Sequence, residues 1–95
     1  MPRHSYRVFE TQQFTNDLRQ LGGGVAIAIR QKLAAHLYPQ LVKEPHYGPN
    51  IKRLKDWDPS TWRYRIGPWR FFYEIDDLAH VVYMTAAAHR KDAYR

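Results

Sequence analysis

The hydrophobic pattern of the first half of the chain predicts a strand followed by a helix. Tyr6 to Glu10 alternates apolar and polar side chains, which is typical of a half-buried strand. Thr11 is a good helix cap, and the apolar residues after it recur at helical spacing: Phe14, Leu18 and Leu21. The three glycines at 22–24 end this helix, because glycine is a poor helix former.

A second helix is predicted from about Gly24. Its apolar residues stack four apart on one face, and they are Ile29, Leu33 and Leu37, with Ala26 and Leu41 beside them. Pro39 should kink or end this helix, since proline lacks the backbone N–H that a helix interior needs. The two helices form a hairpin with one apolar face, and a β-sheet is the expected partner that buries it.

The second half of the chain changes to the period of two that strands have. Four strands are predicted, at Ile51–Leu54, Trp62–Ile66, Trp69–Ile75 and His80–Ala87. Turns separate the last three, at Gly67-Pro68 and at Asp76–Ala79. The order β-α-α-β-β-β-β predicts an α+β fold, in which an antiparallel meander carries the N-terminal helical hairpin on one face.

The short Gly67-Pro68 turn determines which residues face each other. It places Arg65 opposite Arg70 and directs six side chains to a shared core face: Trp62, Tyr64, Ile66, Trp69, Phe71 and Tyr73. The other face receives Arg63, Arg65, Arg70, Phe72 and Glu74. In the next hairpin, pairing of Ile75 with His80 would add Tyr83 opposite Phe72 and Thr85 opposite Arg70.

Arg65 and Arg70 form a pair that a fold alone does not favour. Like charges directly opposite each other on neighbouring strands repel at Cβ separations of about 5 Å. An anion between the two guanidinium groups turns their repulsion into attraction, and a phosphate is the most natural anion to accept hydrogen bonds from two guanidinium groups. The simpler alternative is that both arginines extend into solvent. On the same face, Phe72 and Tyr83 either stack on bases or form a second small core under the C-terminal tail, the favoured interpretation for Phe72.

The charge of the chain fits a nucleic-acid partner without requiring one. The 95 residues suit a single domain, residues 1–95, and carry 15 Lys and Arg against 9 Asp and Glu, a net charge of +6. Basic residues are densest from Lys52 to Arg70, where Lys52, Arg53 and Lys55 widen the basic surface or simply protect an edge strand. Without cysteines or a long apolar run, the sequence predicts a cytoplasmic protein with neither disulfides nor a membrane span.

The candidate chemistry is metal-free cleavage of a phosphodiester. No His and carboxylate grouping has metal-ligand spacing, and the glycines at 22–24 lack the Lys and Ser or Thr of a nucleotide-binding loop, so we expect no metal or cofactor. His89 directly follows the strand predicted beside Arg70, and a histidine can move a proton near neutral pH. Chemistry with arginines at the phosphorus and a His or Tyr as proton carrier requires an internal nucleophile, the 2′-hydroxyl of RNA.

Three segments of the second half carry a recognisable pattern. They are Ile51-Lys52-Arg53-Leu54-Lys55, the stretch Trp62 to Ile75 around Gly67, and Ala88-His89-Arg90-Lys91-Asp92-Ala93-Tyr94. This pattern resembles the RelE/ParE superfamily of toxins from bacterial type II toxin–antitoxin modules. The opening strand, the two helices and their glycine-rich junction also match, so the resemblance spans nearly the whole chain and implies the RelE-like fold.

The resemblance implies a ribosome-dependent endoribonuclease that cleaves translated mRNA without a metal and so inhibits translation. It assigns catalysis to Arg65, Arg70, His89 and Tyr94. It assigns contacts with RNA and the ribosome to Lys52, Arg53, Lys55, Arg63 and Arg90. A cognate antitoxin would bind the toxin, and operator DNA would be bound only by the complex of the two.

The sequence departs from the best-known RelE pattern at Arg63 and Arg65, where the family has lysines and one lysine is a candidate general base. Arginine is a poor base because its pKa lies above about 12, so His89 is the first candidate for the proton acceptor. The ParE branch shares the fold and inhibits DNA gyrase without nuclease activity. Gyrase inhibition and RNA binding without cleavage are therefore the two alternatives.

Overall fold

The computed structural model describes residues 5–92, and its elements follow the predicted order. The elements are β1 (Arg7–Glu10), α1 (Gln12–Arg19), α2 (Gly23–Lys32), a π-helical turn (Leu33–Leu37), α3 (Tyr38–Lys43), β2 (Ile51–Arg53), β3 (Trp62–Ile66), β4 (Trp69–Asp76) and β5 (Val81–His89). The predicted α+β class is confirmed. Within residues 5–92 no helix is long and apolar enough to cross a membrane.

The five strands form one mixed sheet in the order β1-β5-β4-β3-β2. Strands β2 to β5 make the predicted antiparallel meander, each paired with its neighbour in sequence. The first strand differs from the predicted antiparallel arrangement, because β1 runs parallel to β5 with Arg7 beside Val81. Parallel neighbours need a long connection, and here the helices and the rest of the meander supply it.

The hairpin of β3 and β4 has the predicted register. Arg65 is the direct partner of Arg70, and Ile66 is the partner of Trp69. Gly67 has a φ of 55°, the left-handed conformation that the first position of a type II′ hairpin turn requires. This turn holds the two arginines opposite each other.

The predicted register of β4 and β5 is wrong. Phe72 lies opposite Ala86, and Arg70 lies opposite Ala88, where Tyr83 and Thr85 were predicted. His80 belongs to the turn, with a φ of 55°, so β5 begins one residue later, at Val81 opposite Asp76. A bulge next to Phe72 then inserts one further residue on the β5 side. Small side chains consequently lie beside the arginines.

The core lies between the helices and one face of the sheet. Buried side chains from both layers meet there: Phe14, Leu18, Ile29, Leu33, Leu37, Leu41, Tyr64, Phe71, Tyr73, Val82 and Met84. All six residues predicted for the core face lie in this cluster or pack against it. Thr11 caps α1 as predicted, since its Oγ1 accepts the N–H of Phe14 at 3.3 Å. We call the opposite face of the sheet, which the helices do not cover, the outer face.

The second helix does not end at Pro39, which was one of the two predicted outcomes, but continues through it. A π-helical turn directly precedes the proline, and the N–H of Tyr38 donates to the oxygen of Leu33. Pro39 thus enters in the first turn of α3, where its missing N–H costs little. The helix runs on to Lys43 and keeps Leu41 in the core.

A charged cluster ties the start of β1 to the loop after α3 and to the β4–β5 turn. His46 Nδ1 lies 2.8 Å from Glu44 Oε2, and its Nε2 lies 2.9 Å from Asp77 Oδ1. The hydroxyl of Tyr6, whose ring is 4.9 Å from that of His80, donates to the same Asp77 oxygen at 2.7 Å. Only a protonated imidazole donates through both nitrogens, so this arrangement favours the charged histidine.

The same contacts set the pH dependence of the cluster. Burial lowers the pKa of His46, but the bonds to Glu44 and Asp77 outweigh it and leave the pKa above its ordinary 6.5. The stabilisation is therefore complete below about pH 6.5 and is lost as the pH rises through the raised pKa. The backbone N–H of His46 lowers the pKa of Glu44, and Tyr6 lowers the pKa of Asp77, so their contribution is lost in acid.

Candidate nucleic-acid interface

Two rows of side chains cross the outer face of the sheet. Directly paired residues on neighbouring strands point to the same face, so a row can be traced from strand to strand. The first, which we call the arginine row, consists of Arg65, Arg70 and Ala88. The second row consists of Lys52, Arg63, Phe72 and Ala86. Strand alternation thus gathers four of the predicted basic residues on one face.

The guanidinium of Arg70 is held at the hairpin turn. Its Nη1 donates to the oxygens of Gly67 at 2.8 Å and Trp69 at 3.2 Å, while its Nε is buried without a hydrogen-bond partner among the described residues. Arg65, directly across, is exposed. Within residues 5–92 neither arginine forms an ion pair. A free donor beside two uncompensated charges is the arrangement on this face that best fits an anion.

His89 lies on the other face of the sheet from Arg70. Its strand partner is Trp69, and the two rings meet edge to face, with centroids 5.1 Å apart and planes at 88°. Its Nδ1 accepts the backbone N–H of Lys91 at 3.3 Å, so a neutral ring carries its proton on Nε2. The structure does not bring this histidine together with the arginine row and places it around the end of β5 instead.

The other predicted residues of the C-terminal segment have different outcomes. The N–H of Arg90 donates to the oxygen of Pro68 at 2.7 Å, which brings its backbone against the turn that holds Arg70. The side chain of Arg90 is exposed. Tyr94 lies outside the described residues, so its predicted role stays a prediction.

The basic run after Asn50 is divided between the two faces. Lys52 lies on the outer face opposite Arg63, whereas Arg53 pairs with Trp62 on the core side. The guanidinium of Arg53 lies 5.6 Å from the centre of the Trp62 ring and donates to Ser60 Oγ at 3.0 Å. Lys55 is exposed in the loop that follows β2. The run therefore contributes to two separate surfaces.

Phe72 is not available for stacking on bases, because only 5% of it is exposed. Trp57 covers it, with ring centroids 5.8 Å apart and planes at 12°. The second small core predicted for Phe72 exists, and the loop between β2 and β3 contributes Trp57 to it. The predicted cover by the C-terminal tail stays a prediction, because the end of that tail lies outside the described residues. Tyr83 is partly exposed beside Phe9, at 6.0 Å between ring centroids, and its strand partner is Glu74.

An acidic cavity of about 430 Å³ borders the outer face along β5. Four carboxylates line it, those of Asp17, Asp58, Glu74 and Asp92. Asp17 also accepts the N–H of Ala87 at 2.9 Å, where β1 no longer covers the edge of β5. The outer face is therefore basic at the Gly67 end and acidic beside β5. Neither the role of Trp57 nor this acidic cavity was predictable from the sequence, because the four carboxylates that line the cavity are far apart in the chain.

The match to a protein family places the chain in a class of small α+β toxins. The family model of the ParE toxin of the type II toxin–antitoxin system parDE matches residues 8–94. The chain belongs to this family, within the RelE/ParE superfamily of type II toxin–antitoxin toxins that its sequence pattern indicates. No curated protein matches the chain significantly.

Solved toxin structures share the fold. The toxin–antitoxin complex RelBE2 of Mycobacterium tuberculosis matches with a TM-score of 0.67 and 24% identity, covering 90% of this chain and 99% of that one. A mutant of the E. coli toxin RelE in the free state matches with a TM-score of 0.66 and 16% identity, covering 94% and 87%. A metal-bound toxin from Helicobacter pylori matches with a TM-score of 0.68 and 14% identity, covering 94% and 99%.

Proposed function

We propose that the protein is a ribosome-dependent endoribonuclease that cleaves translated mRNA through attack of the 2′-hydroxyl on the adjacent phosphate. The observation that carries this proposal is the pairing of Arg65 with Arg70 on the outer face, without a carboxylate partner among residues 5–92. The pair costs folding free energy, and a phosphate reverses that cost. The likeness to RelE structures supports the same choice at the level of the fold.

The two arginines have different parts in this mechanism. Attack on the phosphorus places additional negative charge on its oxygens, and fixed cations stabilise that charge without reorganising. Arg70 is already oriented by the oxygens of Gly67 and Trp69, which accept hydrogen bonds from its Nη1. Arg65 is exposed and closes on the phosphate from the other strand. Two guanidinium groups that bind one phosphate fix its orientation and also neutralise its charge.

Proton transfer constrains the path of the RNA. Since His89 is on the opposite face from Arg70, the RNA must pass around the end of β5 for this histidine to receive the 2′-hydroxyl proton. The turn at Gly67-Pro68 forms the adjacent rim, and the backbone of Arg90 is bonded to it. A cleavage site at this rim places the arginine row on one side and His89 on the other. Tyr94 remains a proposed participant.

A cognate antitoxin is the proposed protein partner, and the proposed compartment is the cytoplasm. The structural relatives include toxin–antitoxin complexes from bacteria and archaea. An acidic antitoxin segment over the arginine row would neutralise the same charges as the phosphate and thereby block RNA. In this proposal residues 1–95 act as one domain, the ribosome is contacted through the basic surface, and operator DNA is bound only through the antitoxin complex.

Gyrase inhibition is the second candidate, because the matching family is described by its ParE member and because His89 is separated from the arginine row. That function predicts inhibited supercoiling by purified DNA gyrase and uncut mRNA in arrested cells. RNA binding without chemistry predicts neither effect. Inducible expression followed by mapping of mRNA 5′ ends separates the three, since cleavage on the ribosome gives codon-phased cuts in translated regions.

A matched pair of variants links the cuts to the arginine row. Ala88 is the strand partner of Arg70, so Ala88→Glu supplies a carboxylate to that guanidinium, and Ala88→Gln adds the same bulk without charge. We expect Ala88→Glu to lose the codon-phased cuts and Ala88→Gln to keep them. Growth arrest without any codon-phased cuts in the wild type would overturn the nuclease proposal. Equal cutting by both variants would show that the arginine row does not bind the scissile phosphate.

A further inference from the structure

Trp57 is a large aromatic side chain with one covered and one open face. Its indole lies nearly parallel to the ring of Phe72, with planes at 12°, and 46% of the residue is nevertheless exposed. Phe72 is itself fixed in β4, so it supports the indole from below. A rigidly supported aromatic face loses little conformational entropy when a second ring stacks on it. The small core explains the covered face, but it leaves the open face without a role.

A basic notch of about 380 Å³ lies beside Trp57. Its lining side chains are those of Trp57, Arg53, Leu54, Lys55 and Asp56, so cations outnumber carboxylates. Arg53 is held in place by Ser60 and the Trp62 ring. An aromatic face beside cationic side chains is the combination with which proteins hold single-stranded nucleic acid.

The position of Trp57 relative to the arginine row strengthens this interpretation. Phe72, under the indole, is two residues from Arg70 along β4, which corresponds to about 6.7 Å of strand. Lys52 and Arg63 lie in the same row as Phe72. A strand of RNA with one phosphate between Arg65 and Arg70 therefore passes the positive charges of Lys52 and Arg63 before it reaches the indole of Trp57.

The acidic cavity on the other side of Trp57 gives this path a direction. Asp58, Glu74 and Asp92 line it together with Trp57, and they repel phosphates from that side. The basic notch is thus the approach to Trp57 that polyanions favour.

We propose that the open face of Trp57 is a stacking platform for one base of single-stranded RNA, with Arg53 and Lys55 at the flanking phosphate. This inference rests on the RNA-directed function proposed above and adds a binding position for a nucleotide beyond the arginine row. Stacking is tolerant of base identity, so the platform supplies affinity and register more than sequence selection.

The test uses the purified full-length chain and a fluorescein-labelled RNA hexamer that is fully 2′-O-methylated and so cannot be cleaved. Trp57→Leu keeps an apolar cover over Phe72 but removes the π-face, and Trp57→Phe keeps both. By fluorescence anisotropy we expect Trp57→Leu to weaken binding by about fivefold or more and Trp57→Phe by less than about twofold. The salt dependence should be unchanged in both variants, because neither removes a charge.

A second readout needs no folded variant. Trp57 is the most exposed of the three tryptophans, so unlabelled hexamer should quench part of the intrinsic fluorescence of the wild type. The absence of quenching at saturation, or no binding of the hexamer at about 1 mM, would overturn the platform; so would unchanged affinity of a folded Trp57→Leu. A Trp57→Leu defect confined to binding of a hexaglutamate peptide would identify an acidic protein segment as the occupant and overturn it too.

The outcome is separable from that of the nuclease proposal. Arg65→Gln in the same assay removes a phosphate contact and should lower the salt dependence by about one phosphate equivalent. If Arg65→Gln weakens binding and Trp57→Leu does not, the platform fails while the arginine row stands. If Trp57→Leu weakens binding but cells show no cut mRNA, the platform stands and RNA cleavage fails.

Discussion

Removal of one charge from the arginine row should stabilise the protein, although it should abolish RNA cleavage. Arg65→Gln is the informative change, because the Arg65 side chain is exposed and forms no ion pair within residues 5–92. Its backbone N–H bond to Asn50, at 3.0 Å, is retained in the variant. Arg70 is less suitable, since its guanidinium bonds to two carbonyl oxygens of the turn.

The size of the effect follows from the strand pairing. Two charges about 7 Å apart in water repel by about 0.6 kcal/mol, within the range of about 0.2–1 kcal/mol for like charges directly opposite on neighbouring strands. For a domain of this size, about 1 kcal/mol corresponds to about 4–8 °C in Tm. Arg65→Gln should therefore raise Tm by a few degrees at about 0.1 M salt. The gain should shrink toward zero at about 1 M salt, where the Debye length is about 3 Å.

The assay is thermal unfolding followed by circular dichroism, in a salt series at constant pH. Lys32→Gln is the matched control, because it removes one exposed charge at the end of α2, away from the outer face. Both variants lower the net charge by one, so their difference isolates the cross-strand pair. A Tm for Arg65→Gln at or below that of Lys32→Gln at low salt would refute the claim that repulsion between Arg65 and Arg70 destabilises the fold.

Three further predictions concern the scaffold. Tyr73→Phe should cost about 1–2 kcal/mol in urea unfolding, because it leaves the buried oxygen of Pro45 without the hydroxyl that now donates at 2.7 Å; an unchanged midpoint would contradict this. Leu33→Ala, at a fully buried position, should cost about 2–5 kcal/mol in the same assay, and a loss below about 1 kcal/mol would show that the site collapses freely. His46→Gln should lower Tm more at pH 6 than at pH 8.5, since the raised pKa of His46 confines its stabilisation to the acidic side; equal losses would place its role in packing.

Periodicity was sufficient for the element order and for the β3–β4 hairpin. A two-residue turn at Gly67 leaves little freedom of register, so Arg65 and Arg70 can be paired from sequence. The β4–β5 turn is longer, and its length depends on His80 adopting a positive φ. The continuation of the helix through Pro39 depends on a π-helical turn, for which hydrophobic spacing gives no signal.

The candidate site was predictable only where it is local in sequence. The arginine row comes mainly from one hairpin, but the indole over Phe72 comes from a loop whose path no periodicity describes. The acidic cavity combines Asp17 of α1 with Asp92 after β5, and these two residues come close only when the edge of the sheet has formed. Such a charge boundary cannot be inferred from the net charge of +6.

The bulge next to Phe72 determines which C-terminal residue can act with Arg70. Without it, Ala87 would pair with Arg70, and alternation would direct His89 to the outer face, which carries the arginine row. The one inserted residue reverses the parity of β5 beyond the bulge, so Ala88 pairs with Arg70 and His89 pairs with Trp69. By the same parity Arg90, directly after the end of β5, follows the positions Ala86 and Ala88 on the outer face. Within residues 5–92 the outer face therefore concentrates phosphate-binding groups without a histidine paired to them, and His89 can receive a proton from this site only across the rim that Gly67-Pro68 and the end of β5 form.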